Sequence, residues 1–512
     1  MTIAQERPVA PVVGDLTPEL RHADWWSDAM VAAAGIPVVD VPIVSVGGGI
    51  GSFVTVDYLR IAGVPTSEIA VLSNLDYPWQ TYEYLCRVSQ IPRTQRIRSD
   101  AASRPDCIWG FPSFALHEAI KRRSAKPLWQ VLIEPTFADF YTPPLNMVLE
   151  GIEREARRIR YWEMLSKGQV RMVRRRTGGG YFTILTPPPG STATKRIAFR
   201  SRFVHLALGY AGLKYLGQLQ EFRASHRESY RVVNAYEDHE HVYASLAQRP
   251  GRVLVRGGGI VASRVLERLI DDRERLGLST EIVHLFRTFV DRPKGRPWSR
   301  RRGGDGWAYQ GFNYPKSVWG GQAKARARRL EGADRAQFYS EIGGTTTAYR
   351  RVWQRQLAAG RSGGWYRNLS GTIESVDVDA DSRLVAGVQT SSGRVNVGAD
   401  YIIDCTGLET DPRTHRVYDD MFQHSNAGRN PVGGLDVSRS FEVRGTRSGV
   451  GRLYASGQAT LGGYFPGVDT FLGLQIAAQD IVYDLADQGY CPRLGPFRSL
   501  RQWWKWARNR EV

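Results

Sequence analysis

Cysteine is scarce in this chain. Four residues, Cys86, Cys107, Cys405 and Cys491, are spread over 512 positions, and no two form a Cys-x-x-Cys pair. That spacing excludes a zinc ribbon and a vicinal redox dithiol, and it weighs against disulfide reduction. The plain reading is four small core residues. Histidine is sparse as well, nine in all, with no partner spacing that marks a general base. The densest polar group, Glu237, Asp238, His239 and His241, reads as a hinge loop rather than a metal site. No apolar run approaches the ~18–20 residues that span a bilayer. The N-terminus, MTIAQERPVAPVVGDL, lacks the charged-then-apolar layout of a secretory signal, so a cytoplasmic protein is expected. Acidic residues are in deficit: 51 Asp and Glu stand against 69 Lys and Arg, a net charge of +18. The excess gathers at RPKGRPWSRRR (Arg292–Arg302), KARARRL (Lys324–Leu330) and the C-terminal RSLRQWWKWARNREV. A basic surface attracts polyanions. None of the common nucleic-acid motifs is present, so no specific nucleic-acid partner is expected. Trp503, Trp504 and Trp506 among cations suit either a lipid interface or packing onto the domain.

Glycine is plentiful, and it is placed. VSVGGGIGS (Val44–Ser52) follows an apolar strand pattern and opens a helix pattern; IAVLSN then reads as a second strand. VLVRGGGIVAS (Val253–Ser263) repeats this grammar and is followed by EIVHLFR. Each is a βαβ unit, which implies parallel strands and a right-handed crossover. Each carries the dinucleotide fingerprint G-x-G-x-x-G/A. Its first glycine makes the turn, its second admits the pyrophosphate, and its third lets the helix pack on the strand. Gly47, Gly49 and Ser52 hold these positions in the first unit, with Ile50 and Gly51 between them. Gly257, Gly259 and Ala262 hold them in the second, flanked by Ile260 and Ser263. A helix N-terminus offers free N–H groups and partial positive charge to phosphates. An acid normally ends the second strand and binds the ribose. The first unit has Asn74 there instead, with Asp76 two residues on; the second ends in Arg287, which suits a 2′-phosphate and favours NADPH over NADH.

Two such units, closed by a strand–helix module, resemble the two-dinucleotide-binding-domain flavoprotein superfamily. The chain looks most like its class B and N-hydroxylating flavin monooxygenases, over roughly Val41 to Asp487. The resemblance implies an α/β fold with two Rossmann-like domains, FAD at the first turn and NAD(P)H at the second. HLALGY (His205–Tyr210) and YIIDCTGLETDP (Tyr401–Pro412) are similar to the family's crossover segments. GRLYASGQ (Gly451–Gln458) is similar to the late FAD motif, with Gly457 in place and Gln458 replacing the usual acid. YFPGVDTFLGLQIAAQ then starts a helix at Asp469 and Thr470, where the family holds the flavin's pyrimidine edge; Asp469 is the expected N-cap. Arg98 and Ser99 lie where the family's chain returns to the flavin. The implied organisation is an extension (1–40), a discontinuous FAD domain (41–225 with 371–490), an NAD(P) domain (245–370, with a basic insertion from about 288) and a basic Trp-rich tail (491–512). The implied activity is a flavin-dependent oxidoreductase in which NADPH reduces FAD and the reduced flavin activates O2 for a small-molecule substrate. An NAD(P)H dehydrogenase or quinone reductase at a membrane surface, and a non-catalytic redox sensor, are the alternatives.

Overall fold

The computed structural model describes residues 13–97, 113–133, 141–191, 193–293, 302–309, 318, 321–342, 346–347 and 349–512. Two all-parallel sheets dominate it. The first runs in the order Arg452–Ala455, Phe203–Leu206, Ile43–Val46, Ile69–Ser73, Leu165–Lys167. The second runs Val232–Asn234, Tyr401–Asp404, Arg252–Arg256, Glu281–Phe286, Tyr366–Ser370. In each, the strand before a glycine turn is central and pairs in parallel with the strand after the turn's helix. Central parallel strands are covered on both faces, which is why these segments read as continuous apolar runs. Ile43, Val44, Val253, Leu254 and Val255 are all fully buried.

The helices that follow the turns, Ile50–Ile61 and Ile260–Leu276, pack back onto their own sheets. Phe471–Asp487, the long helix expected near the C-terminus, joins the core beside Ile50–Ile61. The run 151–165 divides: the helix is Leu145–Arg158, Arg160 turns left-handed at φ 59°, and Leu165–Lys167 is an edge strand. The run KRIAFRSRFVHLALGY also divides at Arg202, sending Ile197–Ser201 and Phe203–Leu206 into different sheets.

Two domain expectations need correction. Within the expected extension 1–40, the described residues 13–40 do more than extend the chain. Trp25–Trp26 and Val38–Asp40 are the two edges of a five-stranded sheet built with Gln169–Arg176, Tyr181–Thr186 and Ile197–Ser201. Trp26 is fully buried against Phe182 at the heart of that sheet's core. The second correction concerns residues 372–404, which the implied organisation assigns to the FAD domain as part of 371–490; they go with the second sheet. Tyr401–Asp404 pairs with Arg252–Arg256, and the antiparallel layer Thr372–Val378, Leu384–Thr390, Gly393–Ala399 buries Ile373, Leu384 and Val388 against Leu254, Leu285 and Ile402. Alternating apolar residues read the same in any sheet, so sequence periodicity could not say which sheet received them.

Candidate functional site

The two glycine turns are built alike. Gly47 has φ 123° and Gly257 φ 137°, so each chain reverses through a conformation open to glycine. A Cβ at Gly47 would lie 2.2 Å from the Ala207 carbonyl oxygen; one at Gly257 would lie 3.0 Å from Cys405. The next cradle position differs. A Cβ on Gly49 would meet only Leu75, at 3.9 Å, and one on Gly259 would meet nothing within 4 Å. Both residues are helix N-caps with extended backbone and no side-chain cap. The first intrahelical bonds run from Phe53 N–H to Gly49 C=O (2.9 Å) and from Ser263 N–H to Gly259 C=O (3.2 Å), which leaves the preceding N–H groups to an outside acceptor. Uncapped donors, a helix dipole and open space in front of them fit a pyrophosphate at either turn.

The turn carbonyls are held from behind. Tyr161, buried, donates its hydroxyl to Gly48 C=O (3.0 Å), and Ser73 donates to Gly47 C=O (2.9 Å). In the second unit His284 Nε2 lies 2.6 Å from Gly257 C=O and its Nδ1 2.9 Å from the Tyr366 hydroxyl. A carbonyl only accepts, so Nε2 carries the hydrogen and Nδ1 accepts from tyrosine. This neutral ring matches its burial, which pulls the imidazole down to about 4.

Ser52, the off-pattern third position, has an internal role. Its hydroxyl lies 2.7 Å from Ser45 Oγ, which lies 3.0 Å from His205 Nδ1. His205 Nε2 reaches Ser456 Oγ at 2.9 Å and Thr55 Oγ1 at 3.3 Å. The network ties the first strand, the turn helix, the crossover strand and the late GRLYASGQ motif beneath the turn. His205 is fully buried, and desolvation drops its pKa to about 3. Ser52 fits because a polar partner waits below it; a buried hydroxyl without one would be costly. Ser263 behaves similarly, donating to Ile260 C=O (2.6 Å) and accepting from Thr347 (3.0 Å).

Of the remaining sequence-derived residues, Asn74 is exposed just past its strand, beside a Lys167–Asp76 ion pair of 2.6 Å. Arg287 is exposed just past Phe286 and makes no ion pair among the described residues. Ile50, Gly51, Ile260 and Ala262 lie in the first turns of the two helices. Gly457 (φ 80°) and half-buried Gln458 sit at the end of the Arg452–Ala455 strand, beside Leu474, whose side chain also faces Gly51. The expected N-cap is corrected: Thr470, not Asp469, caps Phe471–Asp487, accepting from Gly473 N–H at 3.0 Å. Asp469 instead stands exposed beside Tyr210, and the protein around its carboxyl raises it above the usual range. Arg98 and Ser99 lie outside the described residues.

Sequence reasoning missed Tyr161, Ser73, His284, Tyr210 and Tyr236. Tyr236, pushed up to about 12 by burial, feels Cys405, Cys86 and Asp469, so groups from both halves of the chain meet there. Only the alternation of polar residues inside otherwise apolar strands, as at Ser45, His205 and His284, signalled any of this. Nearby, a cavity of about 810 Å3 separates helix Gln80–Val88 from helix Ile260–Leu276, a size that takes a small ligand. Its charges are largely matched within the walls, as in Arg264–Glu267 (2.6 Å) and Arg268–Glu240 (3.4 Å). The described cysteines Cys86, Cys405 and Cys491 are buried and free, and burial raises all three thiols, Cys86 to about 12. A thiol held protonated is a poor partner for disulfide exchange.

No family model matches the sequence, and no curated protein matches it. Solved structures do. The chain is similar to ornithine hydroxylase (PvdA) from Pseudomonas aeruginosa, with 15% identity and a TM-score of 0.61 over 88% of this chain and 99% of that one. It is similar to the ornithine N-hydroxylase KtzI from Kutzneria sp. 744, with 14% identity and a TM-score of 0.62 over 88% and 100%. The bacillithiol disulfide reductase Bdr (YpdA) from Bacillus cereus follows at 11% identity and 0.53, over 88% and 100%. Likeness at such identities is likeness of fold. With two uncapped glycine turns on two parallel sheets, the chain has the fold with two Rossmann-like domains seen in those N-hydroxylases and in that disulfide reductase.

Proposed function

We propose that the protein is an FAD-dependent NAD(P)H oxidoreductase, and specifically a monooxygenase acting on a small molecule. The observation that carries this reading is the pair of uncapped helix N-termini, each behind an open glycine, in a fold shared with flavin N-hydroxylases. The Ile50–Ile61 N-terminus would hold the FAD pyrophosphate, with Asn74 at the ribose and Gln458 donating to the flavin's polyol or phosphate oxygens. The Ile260–Leu276 N-terminus would hold the NADPH pyrophosphate, with Arg287 at the 2′-phosphate. When bound, the flavin supplies hydride acceptance and electron delivery to O2. The chain positions and tunes. The Thr470-capped helix directs its positive end toward the site. Tyr210 keeps its phenolic proton beside the Asp469 carboxyl, where it can serve as a hydrogen-bond donor. The buried, protonated thiols Cys86 and Cys405 support oxygenase over disulfide reductase chemistry.

Purified protein should be yellow, and NADPH should bleach it anaerobically. On adding air, NADPH oxidation should be matched by oxygen uptake and, with an amine such as ornithine, lysine or cadaverine, by hydroxylated product. Bleaching followed by rapid quinone reduction with little oxygen uptake would instead support the dehydrogenase. A colourless protein with no affinity for FAD would sink both.

A further inference from the structure

The C-terminal helix Pro496–Ala507 has two unlike faces. Its inner face is tied down. Gln502 Nε2 donates to Ile61 C=O (3.1 Å) and Arg498 to Ala62 C=O (3.2 Å), at the C-terminal end of the first turn's helix. Trp503 and Trp506 pack on the main core, and the Arg154 guanidinium lies 4.1 Å from the Trp506 ring. The outer face carries Phe497, Leu500 and Trp504, which are 87%, 65% and 52% exposed. Their i, i+3, i+7 spacing makes one apolar stripe along the helix. Arg501, Lys505, Arg508 and Arg510 flank it, and none of the four makes an ion pair among the described residues.

A second element repeats the pattern. The helices Ser113–Arg122 and Lys126–Ile133 form a hairpin that exposes Ile120, Trp129 and Leu132. Lys121, Arg123 and Lys126 stand between them, exposed and without an ion pair among the described residues. Both elements rest on helix Leu145–Arg158: Phe114 of the hairpin packs at Gly151, and Trp506 stacks on Arg154, one turn further along. The hairpin and the C-terminal helix are therefore neighbours on one support.

We propose that these two elements together form a docking surface for an anionic lipid bilayer, with Phe497, Leu500, Trp504, Trp129 and Leu132 entering the interface and the flanking cations meeting the headgroups. Large apolar side chains bordered by unpaired Lys and Arg are the chemistry of an interfacial helix. The charge selects the occupant: a second copy would set the same unpaired cations face to face, whereas anionic headgroups neutralise them. Protein of net charge +18 gains at such a surface before any side chain inserts. The surface is separate from both nucleotide turns, so the proposal stands or falls independently of the redox reading.

The test is co-sedimentation of the full chain with vesicles of phosphatidylcholine alone and with phosphatidylglycerol added. Binding is expected only to the anionic vesicles, and salt should release it. The double variant Leu500→Glu/Trp504→Glu should lower the bound fraction at least about tenfold, and Trp129→Glu/Leu132→Glu should do so independently. Arg501→Glu and Lys505→Glu should each cost roughly fivefold or more. Flavin content, read on the same samples, should be unchanged in every variant, since all these side chains point outward. Equal binding to neutral vesicles, no binding to either, or unaltered binding by both double variants would overturn the proposal. So would a dimer in sedimentation velocity that Leu500→Glu/Trp504→Glu dissolves.

Discussion

Arg287 and the paired glycines carry the sharpest expectations for single residues. Arg287 is exposed at the end of its strand and makes no ion pair among the described residues, so Arg287→Ala should leave the fold intact. Loss of one charge-assisted hydrogen bond to a phosphate costs about 1.5–3 kcal/mol, or roughly ten- to hundredfold in the KM for NADPH. The KM for NADH should barely move, and steady-state kinetics with both donors would show it; an equal loss for both would remove Arg287 from the 2′-phosphate. The second turn separates packing from binding. Gly257→Ala forces a side chain into φ 137° against Cys405, a cost of about 1–3 kcal/mol in backbone strain before the clash is counted. Gly259→Ala meets open space at an ordinary φ, so it should fold and melt normally yet block the approach of a dinucleotide. A thermal melt beside a binding titration distinguishes them. If Gly259→Ala binds NADPH like the parent, the turn does not serve as the phosphate cradle.

Strands and helices are fastened to one another by buried neutral histidines. His205 joins two strands to the turn helix, and His284 joins its own strand to the second turn and to Tyr366. Burial lowers both from an ordinary value of 6.5, to about 3 and about 4. Between 6.5 and these values the unfolded chain takes up protons that the native rings refuse. Stability is therefore complete above about pH 6.5 and falls as pH falls toward 4. A tenfold loss of proton affinity corresponds to about 1.4 kcal/mol, so each histidine contributes acid-labile stability on the order of a few kcal/mol. Urea midpoints measured from pH 7.5 to 4.5 should decline on acidification, and His205→Gln or His284→Gln should flatten that decline. A slope unchanged in both variants would assign the acid sensitivity to other groups. Such polar residues inside apolar runs are visible in VSV and FVHL, but their partners come from four separate segments, and no spacing rule links them.

Taken whole, the molecule depends on the strands within residues 25–40. Trp25–Trp26 and Val38–Asp40 close both edges of a five-stranded sheet, and Trp26 fills its core. Removal of residues 1–40 should expose both edges and yield insoluble protein, while Trp26→Ala should cost about 3–5 kcal/mol by denaturant unfolding. A truncated chain that stays soluble with an unchanged melting point would return that segment to the status of an extension. The two halves meet through modest contacts such as Arg87–Asp238 (3.2 Å), exposed on both sides, and through the side chains around the 810 Å3 cavity. Exposed pairs of that kind contribute at most about 1 kcal/mol, so the cleft is held chiefly by the chain crossings between sheets.

The glycine turns, the strands before and after them, and the helix near the C-terminus were legible along the chain, because strand, tight turn and helix are local and each leaves its own residue pattern. The cation at Arg287 was legible for the same reason: it follows its strand directly. Three things waited for the tertiary structure. One was which sheet received residues 372–404, since alternation specifies a strand and not its neighbour. Another was the role of Ser52, whose partner Ser45 is close in sequence but whose network closes only through His205 and Ser456. The last was the unlike faces of the Trp-rich helix, where packing of half-buried Trp503 and Trp506 against exposure of Trp504 depends on what the rest of the chain packs beneath it.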